Sequence, residues 1–283
     1  MPMPVAFSPC PNDTYIFHAW VSGLLGKDFP ICPVIADVQH LNEWAAKGKY
    51  PVTKASMNCL GHILDEYVLL PVGCAIGHSN GPKIIANKMF DLDRINEMRV
   101  AIPGADTTAN LLFNVLIDPT VDKSYCHYDQ VPRLVRSGIV DCGVIIHETR
   151  FTFQENGFVE IADLGQLWEG KYSLPLPLGG IVAKRSLGQE VLNDVTRTLQ
   201  ASLQYAMDRP DASLQYVLDH AIEKNRDVIR KHIELFVNQE TLSISDRGRA
   251  AIAKLLELAR EGDFLPACDK DWLFDYESSF KET

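Results

Sequence analysis

Small polar residues recur in this sequence where apolar runs end. Ser8, Cys10, Asn12 and Asp13 follow the run 4–7, Lys54 and Ser56 close the run that starts at 51, Thr107 and Thr108 follow 98–102, and His147 follows 141–146. In open α/β sheets, ligands bind beyond the carboxyl ends of the strands. Hydroxyls, an amide, one lysine and one histidine gathered there could hold an anionic small molecule and move a proton. A histidine at a strand end can act as a general base near neutral pH. A satisfied core or surface histidine is the plainer reading of the same residue. Thr107 or Thr108 in "AIPGADTTANLL" (101–112) can begin a helix, whose free N–H groups bind anions. A plain threonine cap fits that stretch equally well. Lys54 could neutralise an anion and Ser56 could donate to it, or both could be ordinary loop residues.

The first of these stretches, "SPCPNDT" (8–14), is unusual in composition. Pro9 and Pro11 fix their own φ and push the preceding residues out of the α region. The backbone from 8 to 11 is therefore stiff and extended, and Asn12 or Asp13 is expected to cap the helix that follows. Such a turn can present Ser8 and Asn12 to a ligand with little entropy lost on binding.

Several other motifs fail. "HETRF" (147–151) lacks the second histidine of a zinc-binding HExxH, so Glu148 and Arg150 are expected to be solvated or paired. No Gly-Lys-Ser/Thr follows the threonine turn, and the glycines at 73, 77 and 81 do not make GxGxxG. Cys10 and Cys74 lack a partner at nucleophile spacing, and His62 and His78 lack a ligand set.

The elements that must position these residues alternate. Strands are expected at 4–7, 32–38, 51–56, 81–88, 98–104, 124–128, 141–146 and 179–185. Helices are expected at 13–25, 40–48, 57–68, 107–117 and 129–138. This is an α/β pattern. Apolar residues at 191, 192, 195, 199, 203 and 206 have helical spacing, and further helices follow at about 210–224, 226–237 and 246–261. The aromatic residues of this helical C-terminal part are expected in the core. The pattern suggests a βαβαβ domain at 87–185 inserted into an outer domain of 1–86 and 186–283.

The 283 residues allow one large domain or two modest ones, with 46% hydrophobic and 23% charged residues. A net charge of −10 argues against nucleic-acid binding, which needs clustered Lys and Arg. Seven cysteines without a CxxC pair fit a reduced, cytoplasmic chain, and "MPMPVAF" lacks the basic start and apolar core of a signal segment. No stretch is apolar enough for a membrane helix.

"SPCPNDTYIFHAW", "GPKIIANK", "AIPGADTTANLL" and "DCGVIIHETRF" occur here in the order of one family. From about residue 4 to the helices after 185, the chain resembles the 1,4-dihydroxy-6-naphthoate synthases of the futalosine route to menaquinone. The resemblance implies a two-lobed fold similar to type II periplasmic binding proteins, with the site in the cleft between the lobes. It implies a carbon–carbon lyase that converts cyclic dehypoxanthinyl futalosine to 1,4-dihydroxy-6-naphthoate without a metal or redox cofactor. It places the catalytic base at His147 and ligand contacts at Thr107, Thr108 and Ala109 and in the Lys54–Ser56 segment. A binding protein for a small anion and a chorismate dehydratase of the same pathway are the alternative readings.

Overall fold

A computed structural model describes residues 2–26 and 29–276. Met1 and 277–283, which end the expected outer domain, lie outside the described residues. In chain order the elements are β1 (Met3–Phe7), α1 (Pro11–Val21), β2 (Ile31–Ile35), α2 (Val38–Ala46), β3 (Val52–Ser56), α3 (Met57–Ile63), β4 (Tyr67–Leu69), β5 (Ala75–Gly77), β6 (Lys83–Ala86), β7 (Val100–Ile102) and α4 (Thr108–Leu116). They continue as β8 (Lys123–Tyr125), α5 (Val131–Arg136), β9 (Cys142–Ile145), β10 (Val159–Asp163), α6 (Leu164–Tyr172), β11 (Leu176–Lys184), α7 (Gly188–Asp208), α8 (Pro210–His220), α9 (Arg226–Phe236), α10 (Gln239–Leu242) and α11 (Asp246–Glu261).

The strands form two mixed sheets. One has the order β2-β1-β3-β11-β4, with β5 also paired to β11. The other has the order β10-β6-β9-β7-β8. In the first, β1 runs parallel to β2 and β3, while β11 is antiparallel to β3, β4 and β5. In the second, β7 runs parallel to β8 and β9, and β6 is antiparallel to β9 and β10.

Two strands fall on the far side of the expected domain boundaries. β6, expected in the outer part, pairs with β9 and β10, and β11, expected in the insert, pairs with β3. Each follows its hydrogen-bond partners rather than its place in the run of elements. We therefore place the two crossings near 78–82 and 173–175. The first connection meets the start of α6 at two glycines: a Cβ on Gly81 would lie 2.6 Å from the Gly165 nitrogen, and one on Gly165 would collide with the Asn80 backbone.

The 57–68 helix stops at Ile63, and its expected tail forms β4 instead. β4 and β5 have three residues each, too few for a visible period. α6 does carry a start signal, since the Asp163 carboxylate accepts from the N–H groups of Gly165 and Gln166 at 2.8 and 3.3 Å.

α7 buries Leu192, Val195, Leu199, Leu203 and Ala206, five of the six positions that its spacing marks. It packs with α1 and α8 over the first sheet in one apolar cluster. A second cluster runs through both lobes, joining Leu60 of α3, Leu112 of α4, Trp168 of α6 and Leu255 of α11. No helix among the described residues is long and apolar enough to cross a membrane.

Candidate active site

The turn after β1 is organised around one buried carboxylate. Pro11 occupies the first turn of α1, where its missing N–H costs nothing. The cap position is Cys10, with no side-chain cap bond, so neither Asn12 nor Asp13 caps the helix as expected. Both lie inside its first turn, and the acidic Asp13 suits that end of the helix dipole. Asp13 accepts from the Ser8 hydroxyl at 2.6 Å, the Ser8 N–H at 3.2 Å, the Asn12 amide at 2.9 Å and the Lys54 ammonium at 2.6 Å. The Ser8 hydroxyl also accepts from the Cys10 N–H at 3.3 Å. Both N–H groups that the prolines leave in 8–11 are thus satisfied. Lys54 is no loop residue: it lies in the middle of β3, buried, with its charge directed at Asp13.

The turn after β7 is docked differently. Thr107 caps α4 by accepting from Asn110 N–H at 3.3 Å, and its hydroxyl donates to the Gly104 carbonyl at 2.8 Å. The Thr108 hydroxyl accepts from Met57 N–H at 2.9 Å and donates to the Leu178 carbonyl, so it bridges the two sheets. Ser56 caps α3 and donates to the Asp106 carbonyl at 2.6 Å. Asn42 donates to that same carbonyl at 3.0 Å, and Gln39 donates to the Asp106 carboxylate at 2.9 Å. The hydroxyls that the sequence offers to a ligand are therefore engaged within the protein. The N–H groups of Thr108 and Ala109 have no acceptor among the described residues.

His147 follows β9 and opens a single 3₁₀ turn. Its φ is +57°, in the left-handed region that costs a non-glycine residue ~1 kcal/mol or more and that recurs at functional sites. The ring sits edge-on to Tyr128, with centroids 4.8 Å apart, and its Nδ1 is 3.1 Å from the Cys10 sulfur. Burial pushes the His147 pKa down to about 4, against the pull of Asp37 and Asp13. Burial, together with Glu148 and Asp13, raises the Cys10 pKa well above its ordinary value. The pair is thus a neutral thiol beside a neutral imidazole. Next to it, burial pushes the Glu148 carboxyl up to about 7.

One cleft collects these groups. It is lined by Ser8, Asn12, Lys54, Ser56, Thr107, Thr108, Ala109 and His147, which are all the residues singled out from sequence. It is partly open to solvent, and its cavity volume is about 120 Å³. His62 and His78 are exposed and do not line it. No cluster of three or more metal-ligating side chains occurs among the described residues.

The lining also holds residues that the sequence reading left aside. Cys10 and Asp13 belong to the first turn, yet a thiol without a partner and a possible cap gave no sign of their contacts. Arg150, expected to be solvated or paired, is buried in the cleft wall, with Asn80 and Asp163 oxygens each 3.4 Å away. Asp163 is shared with Lys83 at 2.8 Å. His232 and Phe236 reach the cleft from α9, so this helix is more than a core cover. Nothing in the local sequence of α9 marks them, because the rest of the cleft they join is built from segments between Ser8 and Gly179.

A family model described as menaquinone biosynthesis matches residues 3–261. The chain is 39% identical over 251 residues to a 1,4-dihydroxy-6-naphthoate synthase of Thermus thermophilus, covering 89% of this chain and 91% of the relative. It is 38% identical over 274 residues to the same enzyme of Streptomyces coelicolor, covering 95% and 96%. Among solved structures, it superposes on the periplasmic aliphatic sulphonate binding protein of Escherichia coli with a TM-score of 0.66 at 11% identity, over 100% of this chain and 96% of that one. The last likeness concerns the fold alone: two α/β lobes of the periplasmic-binding-protein type with a helical C-terminal part.

Proposed function

The chain belongs to the menaquinone-biosynthesis family of 1,4-dihydroxy-6-naphthoate synthases, which are lyases, and on that footing we propose that His147 is the general base with which it cleaves cyclic dehypoxanthinyl futalosine in the cleft. The observation that carries this reading is the His147 imidazole held in the cleft wall, with its Nδ1 3.1 Å from the Cys10 sulfur. The base removes a proton from the bound substrate, and the electron pair released breaks a carbon–carbon bond as the naphthoate ring becomes aromatic. Aromatisation supplies driving force, so positioning of substrate and base accounts for much of what the protein adds.

In this reading the free N–H groups of Thr108 and Ala109, at the positive end of α4, hold the anionic group of the substrate. Thr107, Thr108 and Ser56 serve it indirectly, by fixing that helix end to the facing lobe. Ser8, Asn12 and Lys54 build the floor around Asp13, and the prolines keep the floor rigid before substrate arrives.

The test is product formation from cyclic dehypoxanthinyl futalosine by wild type and His147→Ala, with chorismate as the control substrate. Loss of the base is expected to slow turnover ~100-fold or more. Wild-type turnover in the variant would move the base elsewhere. The pH profile sharpens the test. A base must be unprotonated, and the folded pKa of His147 is about 4. The acid limb of kcat/KM is therefore expected near pH 4, with no limb near the ordinary imidazole value. A limb near pH 7 would point to Glu148 instead, whose carboxyl titrates at about 7.

A further inference from the structure

His232 on α9 has no part in the reaction as described so far. It is 2% exposed, and its ring forms part of the cleft wall beside Phe236. Its Nε2 lies 3.2 Å from the Asn12 side-chain oxygen. Its Nδ1 is buried and has no hydrogen-bond partner among the described residues.

The neighbours of the ring decide its tautomer. Asp13, ion-paired to Lys54, is a carboxylate and can only accept. The Asn12 group 2.9 Å from it must therefore be the NH2, which turns the Asn12 oxygen toward His232. That oxygen can only accept, so Nε2 carries the proton. A neutral imidazole has one N–H, and Nδ1 is left with a bare lone pair. Burial, with His147, Arg150 and Lys54 nearby, holds the His232 pKa well below the ordinary value, which keeps the ring in this neutral form.

A buried acceptor without a donor costs free energy that a native structure seldom leaves unrecovered. We propose that His232 is a substrate-contacting residue whose Nδ1 accepts a hydrogen bond from a hydroxyl of the bound substrate, with Asn12 and Asp13 fixing the tautomer that makes this possible. The contact class is a hydroxyl donor, which an anion or a carbonyl cannot replace. A chain of bonds from Lys54 through Asp13 and Asn12 thus ends in a buried acceptor on a residue that lines the cleft. The inference rests on the reading of this cleft as the substrate site, but not on His147 as the base.

Three variants separate contact from scaffold. His232→Gln places an amide N–H where Nε2 was, which keeps the bond to Asn12 and removes the cleft acceptor. His232→Asn places an amide oxygen near Nδ1 and gives up the bond to Asn12. His232→Phe removes both at a position where the ring already packs against Phe151 and Phe236. For Gln and Phe, KM is expected to rise about five- to ten-fold, the scale of one hydrogen bond. For Asn, the rise is expected to be smaller, about two- to three-fold. Unchanged kinetics in Gln and Phe, or a larger loss in Asn than in Gln, would overturn the proposal, the latter by assigning the residue to the support of Asn12. Wild type labelled with 15N at its histidines gives a readout that needs no turnover, with the His232→Phe variant identifying the signal. His232 Nδ1 should show the shift of an unprotonated nitrogen and move upfield on saturation with 1,4-dihydroxy-6-naphthoate. A protonated Nδ1, or no movement, overturns the proposal as well. Full turnover in His147→Ala would overturn the base assignment and leave these His232 results standing.

Discussion

The turn after β1 and the turn after β7 face the same cleft with similar residue types, yet their hydrogen bonds run in different directions. In 8–14 the side chains converge on a single buried carboxylate, Asp13, and the segment is closed on itself and on Lys54. In 103–110 they reach outward: Thr108 to Met57 and Leu178, and Asp106 to Ser56, Asn42 and Gln39. One turn is a floor held by an ion pair, and the other is a seam between lobes held by hydrogen bonds without an ion pair. The difference shows that polarity at a strand end does not by itself mark a ligand group. In the proposed reading, what marks one is hydrogen-bonding capacity left over after folding, as in the N–H groups of Thr108 and Ala109, the His147 ring and the lone pair of His232.

The floor is where the largest effect is expected. Lys54→Met leaves the Asp13 carboxylate buried with only neutral donors. Breaking one partner out of a buried pair costs about 3–5 kcal/mol, and the urea midpoint is expected to fall accordingly. Adding Asp13→Asn to that variant removes the uncompensated charge, so a large part of the loss should return. A single variant as stable as wild type would mean that Asp13 is not held by charge, and the contrast between the two turns would fail.

The seam should respond more mildly. Thr108→Val keeps the shape of the side chain and strips Met57 N–H and the Leu178 carbonyl of their partner. Each unsatisfied buried group costs ~1–3 kcal/mol, so urea unfolding should register a loss of that order, with KM rising as the α4 end loosens. A rise in KM with no loss of stability would break the comparison from the other side. It would mean that the hydroxyl serves the ligand rather than the seam.

The same contrast explains how much could be read from the sequence. Strand ends rich in Ser, Thr, Asn and His are local features, and they led to seven of the residues that line the cleft, with Ala109 added by the resemblance. The 3.6-residue period of α7 is local too, and its buried face lies where the spacing puts it. Which of those residues keeps a free hydrogen-bonding group depends on partners far along the chain. Thr108 meets Leu178 and Lys54 meets Asp13, at separations of 70 and 41 residues. His232 is 220 residues from Asn12, on a helix whose own pattern reads as ordinary amphipathic cover. The crossing points moved for a related reason. β6 and β11 are apolar strands that fit either sheet by composition, and only long-range pairing decides between them.

The smallest expected effect tests whether the seam also shapes the anion site. Thr107 contributes a cap bond to Asn110 and a bond to the Gly104 carbonyl, in a turn where Gly104 has a φ of +97°. Thr107→Ala removes both, and loss of a threonine cap costs about 1 kcal/mol. The cost need not stay in stability. The N–H groups of Thr108 and Ala109 belong to the same first helical turn, so their direction depends on where the turn holds them. We expect a modest fall in the urea midpoint together with a rise in KM that exceeds any fall in kcat, because in the proposed reading the affected groups bind substrate and move no proton. Thr107→Ser restores the hydroxyl and should restore both values. If it recovers stability but leaves KM high, the methyl of Thr107 is shaping the cleft by contact. In that case the hydroxyl is not what aims the helix end, and the seam and the anion site are separate devices.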